Sequence, residues 1–207
     1  MKIPETSYFQ AFSMLVDING FTQLVSEHEL DVGVGDYVRD VLTGPIVAIE
    51  NAGGSVIGIN GDAIFGILPS ADSAAEACQT IAWDLNAVCE YLARTDMVKQ
   101  LPRPPTLKIG VEFGTLANST IKTTALGTIP LCLGRATNYC ARIIAAGDGN
   151  RCHVGPAAYA EGMDKWIGDQ PLLEIAGKRG EPIYPYYKYD LGDVWREGSN
   201  EDDEFYW

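Results

Sequence analysis

Asp17 and Asp62 are the residues of this chain whose settings point most directly to chemistry. Asp17 closes the apolar run Phe12-Ser13-Met14-Leu15-Val16, and Asp62 stands between Gly61 and Ala63 at the end of Gly53-Gly54-Ser55-Val56-Ile57-Gly58-Ile59-Asn60. Each carboxylate adjoins a strand-like hydrophobic segment, where an unpaired charge is costly to bury. Two such carboxylates that converge in the fold would hold divalent metal, and metal in that setting serves phosphate chemistry. Taken singly, each has an ordinary explanation: Asp17 as a helix cap, Asp62 as a turn residue. The segment Asp17-Ile18-Asn19-Gly20-Phe21-Thr22 also offers backbone N–H groups at a helix start, and Gly20 permits a phosphate to approach closely. Asn138 and Arg142 are spaced i and i+4, so they share one face of a helix. Lys178 falls in the turn Gly177-Lys178-Arg179-Gly180, where a plain turn lysine competes with a phosphate-binding one.

The elements that must position these residues follow from periodicity. Ala11 to Asp17 is predicted as a buried strand, followed by a long helical stretch to about Ala52 that Gly33 and Gly35 should kink or break. Ser55–Ile59 and Ala63–Leu68 flank Asn60-Gly61, a strong hairpin signal that puts Asp62 at or beside the tip. Ala71 to about Met97 is an amphipathic helix with Trp83, Leu85, Val88 and Leu92 as expected core. Leu101-Pro102-Arg103-Pro104-Pro105 is a stiff linker within the domain. A strand over Thr106–Phe113 ending at Gly114, a second strand or loop from Leu116 to about Pro130, and a helix from Ala136 to Ala145 follow. Arg151–Val154 is a short strand and Pro156–Gly162 a short helix. Leu172–Ile175 with Pro182–Tyr189 is a closing hairpin. The order is βαββαβ with extra C-terminal strands, a ferredoxin-like α+β layout.

Composition narrows the function. The chain has 207 residues and a net charge of -13, which argues against nucleic acid as partner because no basic stripe is available for phosphates. A bound metal ion would still reverse the local sign of a nucleotide site. Five cysteines (Cys78, Cys89, Cys132, Cys140, Cys152) form no Cys-x-x-Cys pair, so they are expected as reduced core thiols in a cytoplasmic protein. No signal peptide or membrane-length apolar run is read from the sequence, so no membrane association is expected.

Five blocks of the sequence resemble class III nucleotidyl cyclases, the catalytic domains of adenylate and guanylate cyclases. Phe12–Thr22 looks like their opening Asp-Ile-x-Gly-Phe-Thr segment, and Gly53–Ala63 like their second metal motif. Lys108-Ile109-Gly110-Val111-Glu112-Phe113-Gly114 resembles the following strand, and Gly134-Arg135-Ala136-Thr137-Asn138-Tyr139-Cys140-Ala141-Arg142 the Gly-x-x-Val-Asn-x-x-x-Arg helix. Leu173–Lys178 resembles the closing Leu-Lys-Gly-Lys hairpin. The blocks occur in family order and cover most of Ala11 to Tyr189. The resemblance implies a catalytic domain over residues 1–190, with 191–207 an acidic tail expected to be mobile. It implies that Asp17, Asp62 and the carbonyl of Ile18 hold two Mg²⁺ or Mn²⁺ ions, with Gly20 and Phe21 in the phosphate-binding turn. Asn138 would orient the ribose, Arg142 would stabilise the α-phosphate and Lys178 would bind the outer phosphates. It further implies a head-to-tail homodimer in which each site draws its metal pair and its Asn/Arg pair from different subunits.

The resemblance breaks where the base is read. The family's purine-contacting residues fall on Gly58 and Leu131, and neither can hydrogen-bond a base edge. The pattern is most like the stand-alone bacterial pyrimidine cyclases of anti-phage (Pycsar-type) defence, which make cyclic UMP or cyclic CMP for a separate effector. An adenylate cyclase with an altered purine pocket and an inactive nucleotide-binding homologue are the alternatives. Arg135 and Tyr139 are expected to serve structure or the dimer surface, and Glu112 has no assigned role.

Overall fold

The alternation of the first strand sets up the whole layer. In a computed structural model, which describes residues 6–22, 26, 32–93, 106–124, 127–147 and 149–191, β1 spans Ser7–Ile18. Its even-numbered residues Phe12, Met14, Val16 and Ile18 are buried in the main core. β2 (Ser55–Asn60) and β3 (Ala63–Leu68) form the expected hairpin, closed by a two-residue turn with Gly61 at φ 61° and Asp62 next to it. That positive φ is readily adopted only by glycine, so the turn fixes where Asp62 stands.

β4 runs unbroken from Leu107 to Thr123 and pairs antiparallel with β5, Gly127–Gly134. The expected stop at Gly114 does not occur, because β1 continues to Ser7 and pairs β4 through Asn118. The segment read as strand or loop after Leu116 is thus the far half of this long ribbon. β6 (Arg151–Val154), β7 (Leu172–Ala176) and β8 (Ile183–Asp190) complete one sheet of order β2-β3-β1-β4-β6-β8-β7, with β5 on β4. β2-β3-β1-β4 is the ferredoxin-like order that the βαββαβ pattern predicts.

Two helices cover one face. α1 (Val32–Asn51) starts ahead of Gly33 and Gly35, so these lie in its first turn and do not break it. α2 (Ala71–Ala93) packs beside α1 over the buried faces of β1, β3 and β4. Leu85 is buried as expected, whereas Trp83 is 59% exposed and is not core. It lies two residues from Leu85, on the far side of a 3.6-residue helix. The side chains of Val88 and Leu92, the Leu101–Pro105 linker and the tail beyond Leu191 lie outside the described residues.

α3 (Arg135–Ile143) covers the opposite face, burying Ala136, Tyr139, Cys140 and Ile143 at the i, i+3, i+4, i+7 spacing of an amphipathic helix. Gly110 of β4 makes this docking possible. A Cβ there would stand 2.6 Å from Ile144 Cγ2 and 2.9 Å from the Cys140 carbonyl oxygen. The segment expected as a short helix over Pro156–Gly162 is longer. It comprises α4 (Pro156–Ala158), a π turn (Tyr159–Met163) and α5 (Asp164–Ile167). Among the described residues, no helix is long and apolar enough to cross a membrane.

Candidate active site

The carboxylate half of the site is built by strand register. Asp17 is paired with Ala63 on one side and Lys108 on the other. Asp62 follows Gly61 in the adjoining turn, and the Ile18 N–H donates to the Asp62 carbonyl at 3.3 Å. Ile18 is buried on the core face, so its carbonyl is what it can offer a ligand. Burial pushes the Asp62 carboxyl above the usual carboxylate range, and the neighbouring Asp17 charge adds to the shift. Lys108 Nζ stands 3.6 Å from Asp17 Oδ2 and opposes it in part.

These donors fit a small divalent cation. Two crowded, half-buried carboxylates are a standing electrostatic cost that a dication relieves. Among the described residues, no group of three or more His, Cys, Asp or Glu could hold a metal, so a cation at Asp17 and Asp62 would take two carboxylates and complete its shell from other oxygens. That is the donor set Mg²⁺ favours, one or two carboxylates with water and phosphate filling the other positions.

The adjoining turn is braced from β4. Asn19 N–H donates to the Thr106 carbonyl at 2.9 Å, and Asn19 Nδ2 donates to Thr106 Oγ1 at 3.1 Å. Gly20 takes φ 80° with open space around its Cα, and the Phe21 side chain packs on the main core.

The cationic half lies on α3 and the β7–β8 turn. Burying one stripe of α3 leaves Asn138 exposed and Arg142 half-buried on the outer side. Arg142 Nη2 donates to Glu181 Oε1 at 2.5 Å, and the Lys178 N–H donates to Glu181 Oε2 at 3.1 Å. Glu181 therefore bridges the Arg142 side chain and the Lys178 backbone. Tyr139 anchors the helix by donating from its hydroxyl to the Pro185 carbonyl at 2.8 Å. Burial, with a contribution from the Glu112 charge, pushes the Tyr139 hydroxyl up to about 12, so it stays a donor.

The two halves do not meet within one chain. Asp17 is on β1, and the Lys178 turn joins β7 to β8, three to four strands further along the sheet. Register also sets Asp17 level with Lys108, Arg151 and Asp190, at the end of β8 away from that turn. At ~4.8 Å per strand across and ~3.3 Å per residue along β8, the separation is roughly 27–30 Å. Gly58 is exposed in open space beside a bulge of β2, and Leu131 is half-buried on β5, so neither presents a polar group.

Three contributors were not singled out from sequence. Lys108 was detectable only through its register with Asp17. Glu181, three residues beyond Lys178, carried no motif of its own. Glu112 is structural: its buried Oε1 accepts the N–H groups of Phe113 and Ala158, each at 2.8 Å, at the start of α4. Burial raises its carboxyl despite those bonds. The described cysteines, Cys78, Cys132, Cys140 and Cys152, are free thiols. A cavity of about 520 Å³ lined by Arg151, Lys165, Trp166, Lys188 and Asp190 shares no residue with either half-site.

No model of a known protein family matches the sequence, and no curated protein matches it by sequence. Solved structures do match in fold. The guanylyl cyclase Cya2 superposes with a TM-score of 0.74 at 16% identity, covering 96% of this chain and 97% of that one. The adenylyl cyclase CyaB from P. aeruginosa gives 0.71 at 17% identity, covering 96% and 99%. A class III adenylyl cyclase-like ATP-binding protein from Pseudomonas aeruginosa gives 0.67 at 17% identity, over 94% of this chain and 41% of that one. At such identities the likeness carries the architecture, and the architecture is clear: this chain has the fold of a class III nucleotide cyclase catalytic domain.

Proposed function

We propose that the chain is a nucleotide cyclase that converts a pyrimidine nucleoside triphosphate, UTP or CTP, to its 3′,5′-cyclic monophosphate and pyrophosphate. The observation that carries this reading is the division into two half-sites on a cyclase fold, one of paired carboxylates and one of Arg142 bridged by Glu181 to the Lys178 turn. Two Mg²⁺ or Mn²⁺ ions held by Asp17, Asp62 and the Ile18 carbonyl would activate the ribose 3′-hydroxyl and neutralise the triphosphate. The N–H groups of Gly20 and Phe21 in the braced turn would meet phosphate oxygens. Asn138 orients the ribose, Arg142 stabilises charge developing on the α-phosphate, and Lys178 holds the outer phosphates. The 3′-oxygen attacks the α-phosphorus in line, and pyrophosphate leaves.

The distance between the half-sites supports a head-to-tail homodimer, in which each site takes its carboxylates from one chain and its cations from the partner. The open Gly58 and apolar Leu131 support a non-purine base, since a purine edge would find no hydrogen-bonding side chain at either position. The product would act in the cytoplasm as a second messenger of anti-phage defence, through a cyclic-nucleotide-binding effector. A binding role without turnover is the second reading, favoured by the likeness to an adenylyl cyclase-like ATP-binding protein.

Incubation with ATP, GTP, CTP and UTP separately, with Mn²⁺, followed by chromatographic identification of products, tests the proposal. Cyclic UMP or cyclic CMP is expected. Dominant cyclic AMP would mean an adenylate cyclase with an altered pocket. No cyclic product from a dimeric preparation would favour the binding role.

A further inference from the structure

Glu181 touches both the Arg142 side chain and the Lys178 backbone of the cationic half-site. One carboxylate oxygen takes Arg142 Nη2 at 2.5 Å, and the other takes the Lys178 N–H at 3.1 Å. The Glu181 N–H closes the turn by donating to the Lys178 carbonyl at 2.8 Å. The turn is shaped around this residue: a Cβ at Gly177 would stand 2.6 Å from Glu181 Cβ and 2.5 Å from the Pro182 carbonyl oxygen. Beside it, Tyr139 meets Tyr184 edge-on at 5.1 Å and bonds the Pro185 carbonyl, so α3 and β8 form a fixed frame.

We propose that Glu181 is a positioning residue for the cyclisation step, aiming Arg142 at the α-phosphate and holding the Lys178 turn in register with it; this rests on the cyclase reading above. Arg142 engages Glu181 through one corner of a planar guanidinium with five donors, so the rest of the fork can address phosphate oxygens. A half-buried arginine on a long side chain otherwise spends its time among rotamers that miss the phosphate. The effect belongs to the transition state, where charge on the α-phosphate grows, so it acts on kcat more than on KM.

Glu181→Gln tests this in the full-length dimer. An amide has one acceptor where two donors converge, and its NH₂ group opposes one of them. With whichever of ATP, GTP, CTP or UTP the wild-type chain turns over fastest, kcat should fall about ten- to a hundredfold, with KM within about threefold. The unfolding midpoint should stay within a few degrees, since the pair is partly exposed. Glu181→Asp keeps the charge but shortens the reach, and should fall between wild type and Glu181→Gln. In an Arg142→Ala background, Glu181→Gln should lower kcat by much less, leaving only what the Lys178 turn contributes.

A raised kcat in Glu181→Gln would overturn the proposal, because Glu181 would then be a restraint on Arg142. An unchanged kcat, or an equal loss in the Arg142→Ala background, would overturn it as well. Wild-type chain that forms no cyclic product from any of the four triphosphates would instead overturn the cyclase reading beneath it.

Discussion

Mixing Asp17→Ala chains with Arg142→Ala chains should restore an activity that neither has alone. Within one chain Asp17 lies on β1, while Arg142 is tied to the β7–β8 turn, three to four strands away in the sheet. Asp17 is also level with Asp190, at the far end of β8 from that turn. The resulting separation of roughly 27–30 Å is too wide for one α-phosphate to touch both groups. Each substitution alone should lower turnover about a hundred- to a thousandfold, the scale of losing one preorganised charge-stabilising group. Equal amounts of the two variants that reassociate at random give one half mixed dimers. In a mixed dimer one site carries both lesions and the other carries none, against two intact sites in wild type. The mixture should therefore reach about a quarter of wild-type activity per chain. Product formation is followed by chromatography, with differently tagged chains to confirm that mixed dimers form. Mixed dimers that remain at the level of the single variants would refute the divided site, as would substantial activity in a monomeric preparation.

Two further outcomes follow from the electrostatics and the buried polar contacts. Asp62→Asn should abolish Mn²⁺ binding by calorimetry, yet raise the metal-free unfolding midpoint at neutral pH by roughly 1–4 °C. The physical reason is that burial and Asp17 disfavour the Asp62 anion in the folded chain. With its folded pKa above the unfolded one, the folded chain holds that proton more tightly. Metal-free stability from this group is then full at acid pH and falls as pH rises through the raised pKa. The benefit of Asp62→Asn should accordingly vanish below the ordinary carboxylate range, and a lowered midpoint at neutral pH would contradict the crowding. Glu112→Ala should cost about 3 kcal/mol in urea unfolding, roughly 6–12 °C, by orphaning two buried N–H groups. A loss of activity without that loss of stability would give Glu112 a role beyond holding the start of α4.

Much of the fold was legible because its signals are local. The hairpin around Gly61-Asp62 follows from Asn60-Gly61 between two apolar runs, and α3 from its apolar stripe. Errors arose where a distant partner overrode a local signal. Gly114 reads as a strand end, yet β4 continues because β1 supplies hydrogen-bonding partners as far as Asn118. Trp83 is apolar enough for a core, yet its position on α2 turns it to the outside.

The sequence by itself determined which residues could do chemistry: Asp17, Asp62, Asn138, Arg142 and Lys178 stand out by type, spacing and resemblance. It also located the missing base contacts at Gly58 and Leu131, since the absence of a polar group is a property of the residue alone. Only the tertiary structure decided how these groups are partnered. Lys108 stands beside Asp17 because β1 and β4 pair in one register, and Glu181 reaches Arg142 across 39 positions of chain. Ion pairs of this kind depend on through-space distance, and through-space distance is set by packing rather than by order along the chain.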